Sequence, residues 1–227
     1  NDLLYVTTSL HQIVVFTKDG QEVDRIGEYG VEPGQFYYPY EVQVDSKGNF
    51  FVSDNFNNRV QKFDSEWNHI QTIGGYGFTE GLLFMPSRMY IDKKDRLFVN
   101  DTFNNRVQVF NTETGEYIAS FGGYGQEEGQ LFLPYAITMD PKEKFIIIGE
   151  SGNNRISVFK NDENFTFHRF FSSIGATDTD VFFPSGVTQC GGRFSFCMTS
   201  RMQNTAKRFK LKINGKVPAI KDPLTPW

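Results

Sequence analysis

Histidine and cysteine are scarce in this 227-residue chain, at three and two copies, and that scarcity excludes several chemistries. His11, His69 and His168 fall at unrelated places and form no His-x-x-x-His or His/Cys cluster, so no zinc centre and no other metal or cofactor is expected. Gly-x-Ser-x-Gly is absent, which removes the hydrolase nucleophile elbow, and no catalytic residue stands out. The glycine segments Gly74–Gly77 and Gly122–Gly125 lack the Gly-Lys-Ser/Thr ending of a phosphate loop. No apolar run reaches the roughly eighteen residues of a membrane helix, so no membrane insertion is expected. Asn1–Thr8 has neither an initiator Met nor a signal-peptide layout, which reads as a mature form or a fragment. Acidic residues are missing from one stretch: none occurs between Asp180 and Asp222.

The two cysteines, Cys190 and Cys197, flank Gly191-Gly192, which reads as a two-residue hairpin turn. That register sets Cys190 opposite Arg193 and Cys197 opposite Gly186, so no disulfide joins them. Asn-x-Thr triplets begin at Asn100 and Asn164; Asn100 sits inside an apolar strand pattern. Compartment stays open on these signals.

Charge is unevenly spread. The formal net charge is −4, yet residues 1–180 carry 15 Lys/Arg and 26 Asp/Glu, whereas residues 181–227 carry 8 and one. A basic segment, 193–221, therefore ends an acidic body.

Abundance lies in aromatic residues, 16% of the chain with 24 Phe, and in repetition. Phe51-Val-Ser-Asp-Asn-Phe-Asn-Asn-Arg59-Val-Gln-Lys-Phe63 recurs from Phe98 to Phe110 and again, more loosely, from Ile147 to Phe159. Pro39, Pro86, Pro134 and Pro184 follow at steps of 47, 48 and 50. Each period contains four short strand signals. Val42/Val44, Met89/Ile91 and Ile137/Met139 alternate with polar residues, and a continuous apolar run follows, as for a strand covered on both faces. A third strand ends at Phe63, Phe110 or Phe159, and a fourth precedes a Gly or Gly-Gly. Four strands and their turns fill about 47 positions, which leaves no room for a helix.

A four-stranded unit that cannot bury both faces alone must stack on its copies, and radial stacking gives a β-propeller. The strand–Asp-x-x-Asn-Asn-Arg-Val-Gln-Val-Phe core, the Phe-Gly-Gly-x-Gly segment and the Gly-Gln-Phe/Leu-x-x-Pro exit resemble the NHL-repeat family, over residues 2 to about 210. The resemblance implies an all-β propeller of four-stranded blades, as in TRIM–NHL proteins. About five blades are visible, six if one is missing from this chain. Residues 1–227 read as one domain with repeats at about 1–39, 40–86, 87–134, 135–184 and 185–227. The first repeat starts at its second strand, and Lys216–Lys221 is a candidate last strand.

Asp54/Arg59, Asp101/Arg106 and Glu150/Arg155 read as structural loop pairs. The matching positions elsewhere, Thr7/Gln12 and Ser200/Thr205, lack both charges together, as expected when an unpaired charge is costly. Candidate ligand-binding residues are those that vary where the linker enters the inner strand: Tyr40, Glu41, Arg88 and Tyr135. They rim the top face of a propeller with Phe56, Phe103 and Arg201. Variable chemistry on a constant frame is how a scaffold carries specificity. The expectation is a non-enzymatic scaffold that binds a protein or peptide there. The alternative is single-stranded RNA, stacked on the rings and held by segment 193–221; a metal-dependent lyase or hydrolase ranks third.

Overall fold

A computed structural model describes residues 3–172, 184–189, 195–200 and 206–210. Its eighteen strands form five antiparallel meanders. The first sheet has three strands, β1 (Leu3–Thr7), β2 (Ile13–Thr17) and β3 (Glu22–Ile26). The next three have four each: β4 (Pro39–Val44) to β7 (His69–Gly74), with β5 at Phe50–Asp54 and β6 at Arg59–Phe63; β8 (Pro86–Ile91) to β11 (Tyr117–Gly122), with β9 at Arg96–Asp101 and β10 at Arg106–Asn111; and β12 (Pro134–Met139) to β15 (Phe167–Ser172), with β13 at Phe145–Glu150 and β14 at Arg155–Lys160. The fifth sheet shows β16 (Pro184–Gln189), β17 (Ser195–Ser200) and β18 (Ala206–Lys210). The only helical residues described are single 3-10 turns at Asn55–Asn57 and Thr102–Asn104.

The last four sheets each begin at a proline, Pro39, Pro86, Pro134 and Pro184. The last hairpin differs from expectation. Thr188 faces Cys197 and Gly186 faces Thr199, two residues from the register that a Gly191-Gly192 turn would set. Cys190, Arg193, Arg201 and the candidate strand Lys216–Lys221 lie outside the described residues.

The chain divides into two compact units, residues 1–120 and 121–227, with the division inside β11. In the first unit, alternate faces of one strand serve different neighbours. Phe50 and Val52 pack with Ile13, Phe36 and Phe63. Phe51 points the other way, into a cluster with Val60, Leu83, Met89, Leu97 and Phe110. That two-sided burial explains why the second strand of each repeat is a continuous apolar run rather than an alternating one. The second unit repeats the plan with Ala136, Ile147, Ile156, Val158 and Val187.

Neighbouring sheets of the first unit are also tied by polar contacts. The buried Lys62 ammonium donates to the Thr112 carbonyl (2.8 Å), and Ser46 donates its amide to Asp95 (3.0 Å).

The linkers fold back on themselves. Gly77 N–H donates to Leu83 O (3.1 Å) and Leu83 N–H to Gly75 O (2.8 Å), with equivalent pairs at 28–36 and 123–131. Parallel bridges result at Tyr29/Phe36, Tyr76/Leu83 and Tyr124/Leu131. The second member of each bridge is fully buried, and the tyrosine points outward. Gly74 has φ +86, and a Cβ there would sit 2.6 Å from Leu83 Cδ1. Only glycine combines that backbone with that approach.

Candidate functional site

In each complete repeat a buried carboxylate organises the loop end. Asp54 accepts from Tyr37 N–H (2.7 Å), Asn57 Nδ2 (2.9 Å), Arg59 Nε (2.8 Å) and Gln61 Nε2 (3.1 Å). Asp101 accepts the same set from Phe84, Asn104, Arg106 and Gln108. Glu150 accepts from Phe132 N–H (3.0 Å), Asn153 Nδ2 (2.6 Å), Arg155 Nε (2.7 Å) and the Ser157 hydroxyl. Each arginine then clamps the linker through its carbonyls. Arg59 Nη2 reaches Glu32 O and Gln35 O, both at 3.0 Å, and Arg106 Nη2 reaches Thr79 O and Leu82 O. Burial pushes the Asp54 and Asp101 carboxyls above the ordinary aspartate range; the amide and arginine donors around them pull the other way.

The residues before Pro39, Pro86 and Pro134 adopt the left-handed region, with φ 62° at Tyr38, 50° at Met85 and 47° at Leu133. Met85 N–H donates to Asn58 Oδ1 (2.9 Å) and Tyr38 N–H to His11 Nδ1 (3.0 Å), each partner coming from the preceding repeat. His11 thus stands where later repeats have asparagine, and like them it has positive φ. His11 is accordingly half-buried and bonded.

Pinned backbones present aromatic rings. Phe56 N–H donates to Tyr37 O and Phe103 N–H to Phe84 O, so the rings meet at 4.9 and 5.3 Å. In the first unit His11, Tyr29, Tyr37 and Phe56 form one chain of ring contacts. Tyr76, Phe78, Phe84 and Phe103 form the next. Asn58 adjoins both, following the Phe56 turn and bonding Met85 and Gly75. These rings are open to solvent: Tyr29 is 63% exposed, Tyr76 61%, Phe78 62%, Phe56 43% and Phe103 41%. The second unit carries a smaller version, Tyr124 against Phe132. There Gly152 replaces the phenylalanine, and a Cβ on it would lie 2.4 Å from the Phe132 ring.

The predicted rim residues separate into two groups. Phe56 and Phe103 stand on the ledge. Glu41 and Arg88 instead bond each other between β4 and β8 (3.0 Å), and Glu41 also accepts from Met89 N–H (2.5 Å). Burial raises the Glu41 carboxyl pKa, with Arg88 opposing. Tyr40 and Tyr135 are half-buried, and the Tyr40 carbonyl accepts the Thr7 hydroxyl (3.0 Å). Sequence reading missed Tyr29, Tyr76, Tyr124, Tyr37, Phe84 and Phe78. The signal for Tyr29, Tyr76 and Tyr124 was an aromatic residue between linker glycines at the repeat step, and for Tyr37 and Phe84 an aromatic residue two positions before the repeat proline; Phe78 carries no repeated signal.

No group of three or more His, Cys, Asp or Glu able to hold a metal occurs among the described residues. The strand-ending Asp45, Asp92 and Asp140 are engaged in hairpins, for instance Asp45 with the amides of Lys47 (3.0 Å) and Asn49 (2.8 Å). Also among the described residues, no helix is long and apolar enough to cross a membrane.

Solved structures of similar architecture are β-propellers. A catalytically inactive virginiamycin B lyase from Staphylococcus aureus, in complex with quinupristin, aligns over 98% of this chain and 69% of its own, at TM-score 0.66 and 16% identity. A nidogen/laminin complex aligns over 92% and 72%, at 0.68 and 14%. This chain has the β-propeller fold. The dihydro-heme d1 dehydrogenase NirN, in complex with DHE, aligns over 99% of the propeller chain but 44% of its own length, at 0.65 and 9%. No protein-family model matches the sequence, and no curated protein matches it.

Proposed function

We propose that this propeller is a non-catalytic binding module of the NHL-repeat kind, which recognises a protein or peptide through the aromatic ledge at its loop ends. One observation carries the reading: rings more than 40% exposed stand on a backbone fixed by buried carboxylate–arginine pairs. Rigid, exposed aromatic residues bind partners with little ordering cost and are the usual interface hot spots. The nidogen/laminin likeness suggests protein association, but at 14% identity it rests on fold alone, as the lyase likeness does at 16%.

A random peptide library displayed on phage and selected on the immobilised chain tests the reading. Enriched peptides are expected to lose affinity by roughly thirtyfold, about 2 kcal/mol, on the Phe56→Ala/Phe103→Ala variant. A library that enriches nothing, or peptides indifferent to that variant, would refute it.

Single-stranded RNA is the second reading, favoured by the basic strand β18, Ala-Lys-Arg-Phe-Lys, and by the availability of rings for base stacking. The ledge segments themselves, however, contain no Lys or Arg.

A further inference from the structure

The charge around the ledge points to the chemistry of its partner. Segments 28–38 and 75–85, which carry most of the rings, contain Glu28, Glu32 and Glu80 and no basic residue. The 3-10 turns that bear Phe56 and Phe103 carry no charge at all. The arginines that touch these loops are already neutralised: Arg59 and Arg106 each give Nε to a fully buried aspartate and Nη2 to linker carbonyls. Glu28 accepts from Gln35 (3.0 Å), while the Glu32 and Glu80 carboxylates are exposed and have no bonding partner among the described residues. The ledge of the first unit is therefore an apolar aromatic surface with surplus negative charge. In the second unit the equivalent linker repeats the pattern, with Tyr124 beside Glu127 and Glu128 and again no base.

We propose that the ledge of the first unit takes a cationic, extended peptide, whose arginine or lysine side chains lie over Tyr29, Tyr76 and Phe78 and pair with Glu32 and Glu80. The proposal rests on the peptide-binding reading above and names the partner class. Guanidinium and ammonium groups are attracted to open ring faces, and the carboxylates add attraction that an anionic ligand would meet as repulsion. Polyanions such as RNA are disfavoured at this surface for the same reason.

Clones from the phage selection are sequenced, and a fluorescein-labelled peptide from the strongest is titrated by anisotropy against the full chain. Enriched sequences carry net positive charge, and affinity falls roughly tenfold between about 50 and about 300 mM sodium chloride. Glu32→Gln/Glu80→Gln weakens binding by about threefold or more, and Tyr76→Ala/Phe78→Ala removes most of it. All four positions are exposed, so thermal melts of both variants stay near that of the unaltered chain, which separates lost binding from lost fold. Enriched peptides that are neutral or acidic, or basic peptides that bind the Glu→Gln variant equally well, overturn this proposal and leave the peptide-binding reading intact. Labelled oligo-uridine that binds more tightly than the peptides at the same salt overturns it in favour of RNA. Peptides that ignore Phe56→Ala/Phe103→Ala sink the reading beneath it.

Discussion

A single buried carboxylate with four converging donors makes each loop end an all-or-nothing device. Replacing Asp54 alone strands Arg59, whose side chain is only 12% exposed; breaking one side of such a pair costs roughly 3–5 kcal/mol. The first repeat shows how the site survives without charge: Thr7 and Gln12 stand there, and Gln12 Nε2 reaches the Gly27 carbonyl (3.2 Å). Asp54→Thr/Arg59→Gln is accordingly expected to be more stable than Asp54→Thr, by about 1 kcal/mol or more, as read in urea unfolding of the four-member cycle. The pairing itself was legible from joint presence and joint absence across repeats. Less legible was Glu41 with Arg88, because their variation suggested ligand contacts. They occupy the same repeat position 47 residues apart, and one repeat step is the distance between facing residues on adjacent inner strands. Asn100, which opens one of the two Asn-x-Thr triplets inside an apolar strand pattern, is completely buried with both amide atoms unpartnered, whereas Asn164 is exposed in a turn.

At the scale of strands and turns, glycines differ in what they hold. Gly48 and Gly74 share φ near +86, but nothing lies within 4 Å of a Cβ at Gly48. Gly48→Ala should cost about 1 kcal/mol from the backbone alone, and Gly74→Ala clearly more because Leu83 must move. Paired thermal melts check the difference. Turn carboxylates set the acid response. Asp64 and Asp162 are held below the usual aspartate pKa by hydrogen bonds from Asn68 and Thr166 respectively, and Asp95 by those from Ser46. Their stabilisation is complete above the unfolded value of 3.8 and is lost as pH falls through the lowered folded values. Asp54 and Asp101 act oppositely: their raised folded values favour the protonated form, so acidification from neutral pH first relieves them. Stability in urea should therefore rise slightly on mild acidification and fall below about pH 4; a steady decline from pH 7 would contradict this balance. Strand existence and order were readable from periodicity. The final hairpin was not, because Gly-Gly is compatible with several turn lengths, and the register slipped by two residues.

For the molecule as a whole, repetition decided what sequence could show. A signal copied three times survives local ambiguity, which is why the four-stranded unit is visible in this one sequence. The ledge tyrosines were hidden because the fold-back bonds that turn their rings outward are main-chain contacts, which leave no side-chain pattern. Burial runs from the middle strands outward in each unit: β5 is wholly buried, while β3 is mostly exposed. Hydrogen exchange should follow that order, slowest in β5, β6, β9, β10, β13 and β14 and faster in β3, β7 and β11. Equal protection across a sheet would mean that stability is not graded in this way.

The fold-back linkers hold their course through main-chain bonds and buried anchors, not through the outward rings at Tyr29, Tyr76 and Tyr124. Those positions are consequently exchangeable: a diversified library at these sites, with the aspartate–arginine hubs untouched, would sample new specificities on an unchanged chassis. On the proposed binding role, the same independence would let natural drift rewrite what such a protein recognises long before it disturbs how the protein folds.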